Sequence, residues 1–260
     1  MKHSIQSVED GFTLIELLIV IVMTSFFTSL IMYFTFNYWR YGTYIASDLD
    51  TFVTRLNAND VLRELISTST GFVTQNSIPD TNTQNPMTVG SSYWILQHAI
   101  PGNVSVGASG TTTPVLYFRR YSLTPTGAFI FNGTQPYEDE YVLYLNGTTK
   151  QMLLRSIANT SATGNRLKTS CPKALATSSC PEDKIIASDL ASVDRRFFSR
   201  SGNLVDWTSV FDSINNTYIG PDYSVVEVLE LTLNISKRAV FQKTNTTQSS
   251  TIIRIALRNT

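Results

Sequence analysis

The chain has little of what most enzymes rely on. Among its 260 residues are two histidines, His3 and His98, and two cysteines, Cys171 and Cys180. A Ser-His-Asp or Cys-His site would have to be built on one of two imidazoles. His98 lies in Ile95-Leu96-Gln97-His98-Ala99, where a lone histidine reads as a structural strand residue. The patterns Gly-x-x-x-x-Gly-Lys-Ser/Thr, His-Glu-x-x-His and Gly-x-Ser-x-Gly are missing. The sequence therefore assigns no catalytic residue, no cofactor and no metal ligand, and reads as a non-enzyme. Neither sign of charge is in excess. Lys+Arg and Asp+Glu are both 20, so no overall field draws the chain to nucleic acid or anionic lipid. Between Phe12 and Gly42 there is no proline and no glycine, hence nothing to break a helix.

What fills that interval is an apolar run. Leu17 to Phe36 is twenty residues without a charge. That length of α-helix crosses a hydrocarbon core of about 30 Å. A single carboxylate, Glu16, stands at the mouth of the run. Asn37-Tyr38-Trp39-Arg40-Tyr41 follows as an aromatic and basic belt of the kind found at a water interface. Beyond it Tyr41, Ile45, Leu49, Phe52, Leu56, Leu62, Leu65 and Ile66 recur near helical spacing, with Asp48, Asp50, Arg55 and Arg63 between them. The pattern predicts one helix from about Phe12 to about Ser67, bent if anywhere near Gly42 or Asn59, whose second half packs its apolar face on a head.

Gly11-Phe12-Thr13-Leu14-Ile15-Glu16-Leu17-Leu18-Ile19-Val20-Ile21 resembles the class III signal of type IV prepilins and type II secretion pseudopilins. The resemblance implies cleavage after Gly11 by a prepilin peptidase, methylation of the new N-terminal Phe12, and a role for Glu16 in registering subunits through a salt bridge to a Phe12 ammonium. It implies a leader at 1–11, a transmembrane and filament-core helix at 12–36, an amphipathic continuation at 37–67 and a β-rich head with long loops at 68–260. The apolar segment follows the cleavage point, so it stays in the product, unlike an ordinary signal peptide. The leader carries only Lys2 and His3 as basic side chains, with Glu9 and Asp10 beside Gly11. Orientation, a single pass through the cytoplasmic membrane with the head outside, thus follows from the resemblance and not from charge. The implied partners are the peptidase, other major and minor pilins or pseudopilins, an inner-membrane assembly platform, and lipid before assembly. Major pilins commonly carry a proline partway along this helix; its absence here argues against a major-pilin role.

The head reads as antiparallel β. Tyr93–Leu96, Val115–Arg120 and Ala128–Phe131 are strand signals. Tyr141–Leu145 and Met152–Arg155 flank Asn146-Gly147, which predicts a hairpin with positive φ in a tight turn. Leu229–Ser236 and Ile253–Arg258 alternate apolar and polar residues, with the polar tract Thr244–Ser250 between them as a connection. The fold class is α+β, pilin-like: one long N-terminal helix packed on an antiparallel sheet. Scattered positions of the second half, Tyr141 to Arg155 and the closing strands, resemble J- or W-type minor pilins.

Three features remain open. Cys171 and Cys180 are expected to form a disulfide in an exported head, worth roughly 2–3 kcal/mol in the loop-entropy model; the alternative is two free thiols in a surface loop. Their spacing and the lack of a nearby histidine argue against zinc. Tyr137-Glu138-Asp139-Glu140 is a candidate cation site or a solvated strand edge. Asp194-Arg195-Arg196-Phe197-Phe198-Ser199-Arg200 interleaves bases and aromatics, so Arg195, Arg196 and Arg200 are candidate nucleic-acid contacts. The competing reading is a loop with phenylalanines in the core and arginines in water. The expected function is assembly of a pilus or pseudopilus, at its initiating or tip end; the alternative is a membrane-tethered adhesin or DNA-binding subunit whose head loops recognise a ligand.

Overall fold

The computed structural model describes residues 13–73, 75–80, 93–94, 96, 102–205, 210–212, 217–219, 226–238 and 246–257. Helix α1 spans Leu14–Ser67, 54 residues, and continues through Gly42 and Asn59. At 1.5 Å per residue it is about 80 Å long. Thr13 is the N-cap, in extended conformation, and forms a capping box with Glu16. Four hydroxyls inside the apolar run are satisfied by the helix itself. Thr24 Oγ1 donates to Val20 O at 2.6 Å, Ser25 Oγ to Ile21 O at 2.7 Å, and Thr28 and Thr35 repeat the pattern. These four hydroxyls need no water, which suits a lipid environment.

The strands of the head follow in chain order. They begin with β1 (Gly71–Phe72), β2 (Gly102–Ser105), β3 (Thr112–Tyr121), β4 (Phe131–Asn132) and β5 (Gln135–Pro136). Next come β6 (Glu138–Asn146), β7 (Gln151–Ile157), β8 (Lys184–Ala187), β9 (Leu190–Ser199) and β10 (Leu204–Val205). The last are β11 (Val210–Asp212), β12 (Thr217–Ile219), β13 (Val226–Arg238) and β14 (Thr246–Ala256). One sheet has the order β1-β3-β6-β7-β8, the other β10-β9-β13-β14 with β2 also on β9, and every pairing within them is antiparallel. β11 pairs with β12, and β4 with β5, as separate ribbons.

The two sheets share one core. Phe72 of β1 meets Phe197 of β9 at 4.9 Å between ring centroids, and Arg195 of β9 donates to Val115 O of β3 at 2.7 Å. β13 buries Leu229, Leu231, Leu233 and Ile235, and β14 answers with Ile253 and Ile255. β6 is buried at every residue from Asp139 to Leu145, so both faces of the first sheet are covered. Its Tyr141 face, where Phe118 stacks on Tyr141 at 5.2 Å, looks toward the second sheet. Loops cover the other face.

Helix α1 packs against β8 and β14, an edge strand of each sheet. Only its end is docked: Ala58, Leu62 and Ile66 are buried, with Val61 and Leu65 partly so. Here the amphipathic expectation is corrected. Tyr41, Ile45, Leu49, Phe52 and Leu56 are exposed, because the helix runs past the head before the apolar stripe ends. Three further expectations change. Thr246–Ser250 is not a connection but the first half of β14, paired with β13. Tyr93, Trp94 and Leu96 are not in a strand, although Trp94 and Leu96 are buried. The β6–β7 hairpin exists, but its loop is Gly147–Lys150, and Lys150 carries the positive φ of 53°. Gly147 is needed for another reason: a Cβ there would lie 2.2 Å from Ala108 O and 2.8 Å from Gly107 O. Asn146 Oδ1 accepts from the Thr148 and Thr149 amides and so holds the turn.

Candidate functional site

The part of the molecule with no internal explanation is the start of α1. Every residue from 13 to 42 is exposed, including Leu14, Ile15, Phe26, Phe27 and Trp39. The helix is long and apolar enough to cross a bilayer, and its most apolar window has none of its residues buried in the protein. Free in water, a surface of this size would associate. At its mouth Glu16 Oε2 accepts from Thr13 N and from Thr13 Oγ1, both at 2.9 Å, while Glu16 N donates to Thr13 Oγ1 at 3.4 Å. The carboxylate therefore closes the first turn on itself, where the partial positive charge of the helix favours it. Gly11 and Phe12, the expected cleavage and methylation positions, lie outside the described residues, as does His98.

The chemistry buried in the head is structural. Arg155 of β7 is fully buried among two carboxylates. Its Nε and Nη2 reach Asp183 Oδ1 and Oδ2 at 3.1 and 2.8 Å, and Nη1 reaches Asp80 Oδ2 at 2.9 Å. Tyr144 Oη and Ser170 Oγ also donate to Asp183, at 2.7 and 2.6 Å, and Trp94 Nε1 donates to Asp80 at 2.8 Å. The guanidinium lies 5.3 Å from the Trp94 ring centroid. Burial alone would lower the Arg155 pKa, but its hydrogen bonds and charge pairing with Asp183, and then Asp80, leave it raised. Burial first, and then the Asp183 charge, push the Tyr144 phenol up. This network ties loops 76–80 and 170–183 onto β6 and β7. Asp80 opens a polar stretch, Asp80-Thr81-Asn82-Thr83-Gln84-Asn85-Pro86, whose composition predicts an exposed loop, yet Asp80 is fully buried, held there by Arg155. The available signal was one arginine at the end of an apolar strand, Met152-Leu153-Leu154-Arg155.

The acidic cluster at Glu138–Glu140 is neither a solvated edge nor a vacant cation site. Asp139 and Glu140 are buried on β6, an interior strand. Glu140 is taken up by Ser77 N, Ser77 Oγ, Ile78 N and Arg119 Nε. Asp139 Oδ1 accepts from Asn159 N at 2.8 Å and Asn165 Nδ2 at 2.7 Å. Among the described residues no group of three His, Cys, Asp or Glu side chains is placed to hold a metal.

Residues Asp194–Ser199 are not a loop but part of β9, and they do not present a basic surface. Arg195 is fully buried, so it has no face to offer a phosphate. Arg196 pairs with Asp194 at 3.3 Å and Glu230 at 3.8 Å. Arg200 is 90% exposed, 3.9 Å from Glu227. Alternation along the strand sends Arg195 and Phe197 inward, so the three arginines never share one surface. Cys171 and Cys180 are joined in a disulfide with a Cα–Cα distance of 5.7 Å. Its neighbours are laddered, Cys171 N to Pro181 O and Asp183 N to Cys171 O, both 2.8 Å, which places Asp183 for Arg155. Compared with family models, curated proteins and solved structures, the chain matches none.

Proposed function

We propose that the chain is a minor type IV pilin or pseudopilin, a structural and non-enzymatic subunit. It is made as a prepilin, clipped after Gly11, methylated on Phe12, held in the cytoplasmic membrane by residues 12–36, and drawn into a filament at the initiating or tip end. One observation supports the reading above others: α1 docks on the head only through its last turns and leaves thirty consecutive residues, 13 to 42, exposed at its free end. An isolated anchor needs about twenty residues to span lipid, and this helix has that length twice over. The surplus calls for further helices to pack on. Glu16, capped by Thr13 at the start, would stay in that apolar environment only with a cation near it, and an amine created at Phe12 supplies one.

The test is the intact mass and N-terminal residue of the protein taken from membranes with and without a prepilin peptidase. An N-methylated Phe12 that depends on the peptidase is the expected result. A chain still beginning at Met1 in peptidase-positive cells would falsify the reading and leave a simple anchored protein. Deletion then separates assembly from recognition: loss of filaments marks an assembly subunit, and filaments that persist without attaching or taking up DNA mark a binding subunit.

A further inference from the structure

At the far end of α1, where the helix enters the head, a half-open groove of about 690 Å³ runs between its last residues and the β3–β5 region. One wall is aromatic. Phe129 and Phe131 are 53% and 56% exposed, which is unusual for rings beside an available core. They are ordered by edge contacts: Tyr121 to Phe129 at 5.3 Å and 83°, Phe129 to Phe131 at 6.5 Å and 77°. Arg120 lines the same groove. Its neighbour Arg119 is paired with Glu138 and Glu140, whereas Arg120 rests over the Tyr141 ring at 5.8 Å and meets only the charge of Asp139, opposite it on β6, without a salt bridge within 4 Å among the described residues. At the helix end Ser67, Thr68 and Ser69 also line the groove. The last turn of α1 carries no basic residue, so its carbonyl end leaves that side electronegative.

We infer that this groove binds a short extended peptide segment of a partner protein, one that carries a large apolar or aromatic side chain next to a carboxylate. The aromatic wall takes the apolar side chain, Arg120 takes the carboxylate, and the electronegative helix end faces the peptide's backbone N–H groups. A glycan fits less well. Sugar rings stack on a flat platform, and rings standing at 83° and 77° to one another make none; perpendicular rings instead leave an edge-lined slot that another aromatic can complete. The inference stands whether or not the chain enters a filament.

The full chain, held in neutral phosphatidylcholine nanodiscs, is titrated against a fluorescein-labelled hexapeptide of alternating Phe and Glu, read by fluorescence anisotropy. Saturable binding is expected, weakened about tenfold by Phe129→Ala or Phe131→Ala, as for an aromatic contact at an interface centre. Both rings are exposed, so the head keeps its core in these variants. Arg120→Gln should weaken binding several-fold and flatten its dependence on salt. Two peptides test the same contacts on unaltered protein: Ala for Phe and Gln for Glu should each bind more weakly. No saturable binding, or binding indifferent to both phenylalanine variants, overturns the proposal. Tighter binding of a trigalacturonate than of any peptide overturns it too, and makes the groove a glycan site.

Discussion

Asp139 and Asp183 are both buried carboxylates, yet they do opposite things. Asp183 faces four donors, two of them on the Arg155 cation, so its charge is compensated. Asp183→Ala leaves Arg155 with Asp80 alone and should cost about 3–5 kcal/mol in urea unfolding of the full chain. Asp139 has two amide donors on one oxygen and no salt bridge among the described residues, and burial raises its pKa despite those hydrogen bonds and the charge of Arg120. A carboxyl whose folded pKa lies above its unfolded one stabilises most below about pH 4, and that stability is lost as pH rises through the folded pKa. Asp139→Asn keeps the accepting oxygen and removes the titration. The variant should therefore gain on the natural protein as pH goes from below 4 to 7. Parallel stability curves over that range would contradict this. Gly147 is a third kind of residue-scale constraint. Its missing Cβ lets the hairpin loop approach the Gly107–Ala108 carbonyls, so Gly147→Ala should cost about 1–3 kcal/mol by thermal melt.

At the scale of elements, what was legible in the sequence was what one element decides by itself. The helix was written in an apolar run without breakers, and the alternation of Leu229–Ile235 was visible because one face is buried and the other half wet. The faults came where a neighbour decides. The arginines of Asp194–Arg200 look like solvent residues in sequence, yet Arg195 is held inside by a carbonyl of the other sheet. Thr246–Ser250 looks like a connection because polar β-residues at a sheet edge have no pattern to show. The stripe from Tyr41 to Leu56 was legible as apolar, but nothing local says whether the head or another molecule covers it. Glu16 belongs to this scale because its capping role ends in the first turn. Glu16→Ala removes one side of the capping box and the acid together. Membrane insertion, set by the following run, should persist under carbonate extraction. Recovery in sheared filaments should fall several-fold, and equal recovery would count against a role in subunit registration.

For the molecule as a whole the decisive fact is that α1 belongs to two environments. Up to Leu56 its large apolar side chains are exposed and contribute nothing to the core of the head; from Ala58 to Ile66 it supplies three fully buried residues between β8 and β14. The two parts should separate cleanly in a truncation. A chain starting at residue 54 loses the membrane-length segment and most of the exposed stripe but keeps Ala58, Leu62 and Ile66. It should be monodisperse without detergent and melt within a few degrees of the full chain. A chain starting at residue 68 loses all three. Leu62 and Ile66 alone are worth about 2–5 kcal/mol each as core side chains, against a total stability on the order of 5–15 kcal/mol. That shorter head should expose the β8 and β14 edges, bind a hydrophobic dye and aggregate, because two sheet edges lose the element that covers them. If it folds as well as the longer one, α1 is an appendage to a self-sufficient head. If even the longer one aggregates, the stripe between Tyr41 and Leu56 is not the boundary between the part that folds and the part that assembles.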